Sequence, residues 1–301
     1  MPPSAGLCGA AKFIPCWRLC LMRTHVVAAA AVFLTAAYIF PSENSVSPGS
    51  RADEAGRIFV LSPVTDGILL GAGASLVSAD ILFGNILKVK DTSFGGRMPD
   101  VSEVNGFDRI FMNRYSRPLD VAATVLEATS LALPAVMLAA PSSEWLSVGV
   151  MYAESLMMAY GLKELGKLLV SRARPYMYYD GYPAGLVESG DWNSSFPSGH
   201  TTMTFMSAAF TTYVFGKFFP GSAWRIPVTA AAWSLAAATG ILRMASGNHF
   251  ATDVLAGAAI GALSGLAVPL LHSLTARPLS GGGDKVSVSA APGGVSVTVR
   301  L

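Results

Sequence analysis

Apolar residues in this chain come in long, nearly unbroken runs, and polar residues collect between them. Six runs, at 64–86, 118–140, 145–170, 201–219, 224–245 and 251–273, predict helices. Each is long enough to cross, or nearly cross, a hydrocarbon layer of about 30 Å at about 1.5 Å per residue. They are rich in Ala, Gly, Ser and Thr, which suits helices that approach closely in lipid. Pro141-Ser142-Ser143 separates the second from the third, and Pro220-Gly221-Ser222 the fourth from the fifth. Breaks this short predict antiparallel helical hairpins. The tail changes period: KVSVSA, APGG and VSVTVRL alternate by two around a Pro-Gly-Gly turn, the pattern of a small β-hairpin. The bland alternative is an unstructured tail.

Upstream of these runs lies a shorter one, at 26–40, preceded by Arg23 and His25. A basic start before an apolar stretch of this length reads as a secretory signal or an uncleaved anchor. Met22 opens a better-formed signal start than Met1 does, so Met22 is the expected true start. That start would remove Cys8, Cys16 and Cys20, which are all the cysteines of the chain. No C-x-x-C spacing occurs, so neither a zinc site nor a disulfide framework is expected. The chain divides into a signal or anchor segment at 1–45, a linker and N-terminal helical region at 46–116, a helical bundle at 117–275 and a tail at 276–301.

Composition sharpens the picture. Charged residues are 13% of the chain and apolar ones 52%, against roughly 25% charged in an ordinary soluble domain. The mean hydropathy is +0.48. The expected class is an all-α bundle of about six core helices, transmembrane, with a soluble, signal-exported bundle as the alternative. A net charge of +2 is too mild to imply a nucleic-acid partner. Tyr176, Tyr178, Tyr179, Tyr182 and Trp192 crowd one connection, and Phe218, Phe219 and Trp224 the opposite hairpin. Such belts mark membrane–water interfaces; in a soluble fold they would be packed loops.

The candidate chemistry sits at the ends of these runs. Pro197-Ser198-Gly199-His200 leads into the fourth. The first amides of a helix lack intrahelical partners and bind anions, and glycine lets the backbone come close. Lys167 and Arg174 follow the third run, and Arg243 stands in an otherwise uncharged part of the fifth. For Lys163 and Arg172 the bland reading, a charge snorkelling at a helix end, suffices. Arg243 near the hydrocarbon needs a reason. His249 precedes Asp253 by four residues, which places both on one face if a helix runs through them. An aspartate there can accept one imidazole proton and leave the other nitrogen free to attack. Cations, helix-end amides and two histidines together fit a phosphate, with one histidine to attack phosphorus and one to protonate the leaving oxygen. His25 and His272 are read as incidental.

Taken in order, Lys167, six residues, Arg174-Pro175; Pro197-Ser198-Gly199-His200; then Arg243, five residues, His249, three residues, Asp253 resemble the three-part signature of the type 2 phosphatidic acid phosphatase (PAP2) superfamily. The resemblance covers roughly 145–275. It departs from the family pattern at Leu242, where serine is frequent. The resemblance implies a helical bundle with the three parts at one end, and a phosphatase. It makes His249 the nucleophile that forms a phosphohistidine, Asp253 its orienting partner and His200 the acid–base group. Lys167, Arg174, Ser198, Gly199 and Arg243 would hold the phosphoryl oxygens. No metal or cofactor is expected, and no carboxylate cluster that would hold a metal is visible along the chain.

The expected substrate is a lipid phosphate of the phosphatidate, phosphatidylglycerophosphate, isoprenyl diphosphate or lipid A class. A soluble, broad-specificity periplasmic acid phosphatase is the alternative, and a non-catalytic membrane scaffold with a relic site a third reading. Lys217 and Arg225 on the opposite hairpin make that side cytoplasmic, and so put the site outside, at the periplasmic face of a bacterial inner membrane. The basic N-terminus points the other way if every run spans. The run at 64–86, with Asp66, Asp80 and several glycines, is the weakest spanning candidate.

Overall fold

The computed structural model describes residues 58–87, 89 and 93–275, together with the backbone of two strands near the C-terminus. The run at 26–40, the cysteines and the turn at 292–293 lie outside the described residues. Everything below concerns the unit Val46–Leu301.

Among the described residues there are six long helices: α1 (Pro63–Ala79), α2 (Arg117–Ala132), α3 (Trp145–Leu169), α4 (Gly199–Phe218), α5 (Arg225–Ala245) and α6 (Ala251–Thr275). Local chemistry sets their ends. Ser62 caps α1 and a proline follows it, and Pro118 sits in the first turn of α2; proline there lacks only an amide that has no helical partner. Pro134 cannot donate the next helical bond, and α2 passes into a tighter 3-10 run at Leu133–Ala139. The backbone of α1 instead widens into π turns at Asp80–Ile86. Near the C-terminus β1 (Val286–Ala291) and β2 (Gly294–Val299) pair antiparallel, with Val286 opposite Val299 and Ala291 opposite Gly294.

Small residues decide how the helices seat. Gly257, Gly261 and Gly265 form a stripe with a spacing of four along α6, one face of a helix. A Cβ at Gly257 would stand 2.6 Å from the Ser198 carbonyl oxygen, and Cβ atoms at Gly261 and Gly265 would strike the carbonyls of Thr202 and Met206. The backbone of α6 therefore lies directly on α4, and the two run parallel. On the other side Gly73 of α1 meets Met157 of α3, and Leu76 meets Gly161. These contacts make α1 parallel to α3. The run read as the weakest spanning candidate thus traverses the bundle beside α3.

Burial runs opposite to that of a soluble bundle. Thr201, Thr202, Thr204, Ser207 and Thr211 on central α4 are fully buried, while outer helices expose Ile226 (81%), Leu263 (67%), Ile68 (62%) and Leu138 (61%). Water would not leave so much aliphatic surface in place; lipid does. Among the described residues four helical spans are long and apolar enough to cross a membrane, at Pro63–Gly84, Arg117–Ala139, Arg225–Ala245 and Ala251–Leu274. They include the candidate expected to be weakest. They do not include α3 and α4, because those two helices face inward and carry the polar groups.

Candidate active site

The ends of α3, α5 and the starts of α4 and α6 meet at one end of the bundle, so the three parts of the sequence pattern converge. The turn before α4 is seated by contact: a Cβ at Gly166 of α3 would lie 2.6 Å from Pro197 Cδ. At Gly199 a Cβ would lie 3.6 Å from Lys167 Nζ and 3.4 Å from Lys163 Cδ. The lysines therefore stand over the first turn of α4. Gly247 has φ +72°, and a Cβ there would lie 2.5 Å from the Asn113 carbonyl oxygen. Glycine is required on both counts, and this turn aims the residues between α5 and α6.

His249 is 1% exposed. Its Nδ1 lies 2.6 Å from the Ser195 carbonyl oxygen, and its Nε2 lies 3.1 Å from Arg174 Nη1. A carbonyl only accepts and a guanidinium only donates, so the hydrogen sits on Nδ1 and the lone pair on Nε2. Burial, then the nearby Arg174 and Arg243, hold the imidazole well below its ordinary pKa. The ring is therefore neutral and nucleophilic.

Asp253 reaches His249 Nδ1 only at 3.9 Å, outside hydrogen-bond range. Its carboxylate instead accepts from Ser195 Oγ at 2.6 Å, from the Phe250 amide at 2.9 Å and from Arg172. Arg172 is in turn paired with buried Asp108 at 2.6 Å and lies 4.1 Å from the centre of the Phe250 ring. Asp253 thus braces Ser195, whose carbonyl holds the imidazole. Burial pushes the Asp108 carboxyl up, but hydrogen bonds from Thr252 and Arg172 outweigh it and hold the group below its usual range.

His200 opens α4. Its Nε2 lies 3.1 Å from Thr124 Oγ1 and 3.3 Å from Glu127 Oε2, both on α2. Ser198 is fully buried; its hydroxyl shares a hydrogen bond of 2.8 Å with Thr201 Oγ1, and its amide donates to the Asp253 carbonyl.

Each cation of the set meets a carboxylate. Arg174 pairs with Asp191 at 2.7 Å, Lys167 with Glu164 at 3.2 Å, and Arg243 with Asp120. Asp191, its side chain 39% exposed, is partly desolvated, which raises its pKa, but Arg174 and Lys167 outweigh that and hold it below its usual range. Asp120 also accepts from Tyr115 Oη at 3.0 Å and Asn248 Nδ2 at 3.2 Å. One donor is left over: Arg243 is 3% exposed and its Nε has no acceptor among the described residues. Leu242, where the family pattern often has serine, contributes its backbone carbonyl to the Ser246 amide.

All eight residues expected from the sequence therefore lie around one site. The reading missed Ser195, Asp120, Asp191, Glu127, Glu164, Asp108 and the bracing role of Arg172. Of these, Glu164 had a signal, because Lys163-Glu164 and Lys167 share one helix end. Asp120 and Glu127 come from another helix, and nothing local marks them.

Residues 148–276 match the model of the PAP2 superfamily, the family that the three parts resemble. A lipid A 1-phosphatase of Porphyromonas gingivalis is 33% identical over 124 residues, 41% of this chain and 24% of that protein's length. Two solved structures are similar. One is a transmembrane PAP2 type phosphatidylglycerolphosphate phosphatase from Bacillus subtilis, with TM-score 0.41 and 19% identity over 72% of this chain and 99% of that one. The other is LpxE from Aquifex aeolicus, with TM-score 0.39 and 21% identity over 56% and 98%.

Proposed function

We propose that this chain is a membrane phosphatase that removes phosphate from a lipid through a phosphohistidine intermediate. The observation that carries the reading is a neutral, buried His249 whose Nε2 lone pair faces the cations and accepts only from Arg174, inside a set that retains an unmatched buried donor, Arg243 Nε. An unmatched donor in a dry site costs about 1–3 kcal/mol, and a phosphoryl oxygen is the acceptor that removes the cost.

In the reaction Nε2 attacks phosphorus and the phosphorus–oxygen bond to the lipid breaks. His200 gives its proton to the leaving alkoxide; burial and then Arg243 and Arg174 lower its pKa, which makes it a ready proton donor once charged, and Glu127 lies 3.3 Å from its Nε2. His200 then takes a proton from water as that water attacks the phosphohistidine, which releases phosphate and restores His249. Lys167, Arg174 and Arg243, with the Gly199 and His200 amides, oppose charge on the phosphoryl oxygens as it develops. Ser198 joins them when its hydroxyl turns from Thr201. Asp253 works at one remove, through Ser195.

A lipid substrate is supported by the aliphatic exterior of the bundle and by the aromatic connection beside the site, where Phe94 packs edge-on against Tyr182 and Trp192. A lipid A phosphate or a phosphatidylglycerophosphate is the substrate class that the names of the similar proteins suggest. Lys217 and Arg225 at the other end support a cytoplasmic placement of that end and a periplasmic face for the site.

The test is phosphate release by detergent-purified protein, without added metal, over a panel of lipid phosphates and water-soluble esters, beside His249→Ala. Release from lipids, lost in the variant, is expected. Equal turnover of soluble esters would move the reading to a broad acid phosphatase. Release undiminished in His249→Ala would overturn the nucleophile.

A further inference from the structure

The end of the bundle away from the catalytic site holds a second group of buried polar side chains, from three helices. Asp66 lies in the first turn of α1, Glu154 in α3 and His272 in the last turn of α6. From Asp253 to His272, α6 rises about 28 Å at about 1.5 Å per residue, so the two groups lie a bilayer's depth apart. His272, read from the sequence as incidental, is fully buried, as is Glu154. The chain does gather carboxylates, from positions 88 residues apart in sequence.

We propose that Asp66, Glu154 and His272 form a site for a divalent transition-metal cation of the zinc class, which staples α1 to α3 and α6. One ligand atom from each of the three residues lies within 4.8 Å of the other two. The hydrogen-bond roles point to a cation between them. His272 Nδ1 lies 3.2 Å from the Val60 carbonyl oxygen, which can only accept, so Nδ1 carries a hydrogen. This is the arrangement by which metal-binding histidines are oriented, with the other nitrogen left to bind. That nitrogen, Nε2, faces Glu154 Oε2 at 2.8 Å and Asp66 Oδ1 at 3.4 Å. Without metal, the 2.8 Å contact to Glu154 is a hydrogen bond; an ion about 2.0–2.2 Å from each ligand atom would take the place of that proton after small side-chain shifts.

Unmatched atoms point the same way. Glu154 Oε1 and Asp66 Oδ1 are buried and have no hydrogen-bond donor among the described residues. Neither carboxylate pairs with a lysine or arginine there; His272 is the cationic partner that each meets. With a proton on Nε2, two carboxylates and one imidazolium leave a net negative charge in an apolar bundle. A divalent ion with neutral imidazole leaves none. An imidazole and two carboxylates make a nitrogen–oxygen donor set that suits zinc and its neighbours, with a fourth position open to water. The side chain of Asp66 is 17% exposed, which gives the ion its way in. The site also serves α1, whose one buried residue is Gly73.

This site does not depend on the phosphatase reading, and the catalytic steps use no metal. The test uses the full chain, purified in detergent with a tag that contains no histidine and without chelator. Elemental analysis is expected to find about one divalent transition metal per chain in the wild type, and Glu154→Gln and Asp66→Asn should fall to background. Cobalt(II) added to metal-stripped protein should give a visible ligand-field spectrum in the wild type and none in His272→Gln. Glu154→Gln, being isosteric, guards against a variant that merely fails to fold, and its phosphate release should stay within about twofold of wild type. Wild-type protein that holds no more metal than Glu154→Gln, with no cobalt spectrum, would overturn the proposal and leave the three groups bound by a proton. Loss of phosphate release from the wild type with metal present would count against the phosphatase reading alone.

Discussion

The two ends of the bundle share α3 and α6 yet carry opposite unmet charge. Among the described residues, the catalytic end holds a buried donor without an acceptor, Arg243 Nε, beside an unmatched Tyr176 hydroxyl; the other end holds buried acceptors without a donor, Glu154 Oε1 and Asp66 Oδ1. An apolar surround makes each deficit costly, because no water is there to meet it. For these charged groups the deficit has the sign that the proposed ligand would meet: an anion at one end, a cation at the other. The catalytic end also pairs its cations with carboxylates that a phosphate can displace or share, whereas the far end has only an imidazole to set against two carboxylates.

The largest expected effect breaks the catalytic end alone. His249→Ala should lower phosphate release by about four orders of magnitude or more, as loss of an attacking group does, while the metal content of the far end stays unchanged. Arg243→Gln comes next. It removes the unmatched donor and one charge, and should cost about 10²–10³ in kcat, the usual loss for one donor aimed at developing charge; steady-state kinetics check this. Gly261→Ala tests the scaffold that both ends share. Its Cβ would strike the Thr202 carbonyl, and the overpacking should cost about 1–3 kcal/mol, read as a lower thermal midpoint and as weakened function at both ends together.

The smallest effect is a displacement in pH. Burial and the neighbouring Arg174 and Arg243 lower the His249 pKa, so the neutral, attacking ring persists below the ordinary imidazole value of about 6.5. The acid limb of kcat/KM should fall below that value. Arg174→Gln removes a positive neighbour, raises the His249 pKa and should move the limb to higher pH, apart from any loss in rate. An acid limb that stays in place in this variant would show that Arg174 does not set the charge state of the ring.

Much of the catalytic end was legible because its residues come in tight local groups. Pro197-Ser198-Gly199-His200 announces a helix start, and His249 with Asp253 announces a pair. Even so, the pair does not act as the spacing suggested. A separation of four on one helix face needs both residues in the helix, but α6 begins at Ala251, so His249 lies before it and turns to the Ser195 carbonyl instead. The far end was not legible at all. Asp66, Glu154 and His272 each look like a stray polar residue in an apolar run, and their grouping depends on three helices meeting.

What the sequence determined by itself is the class of the molecule and the location of its candidate site. Long runs of Ala, Gly, Leu and Val cannot stay in water, and amides, cations and histidines at helix ends have a use that local spacing reveals. What only the tertiary structure decided is which groups share a dry environment. The glycine stripe at 257, 261 and 265 sets the seating of α6 on α4, and this seating carries Asp253 to Ser195 at one end and His272 toward Glu154 at the other. Partner choice across helices follows from close packing over the whole length of the bundle, and no short stretch of chain contains it.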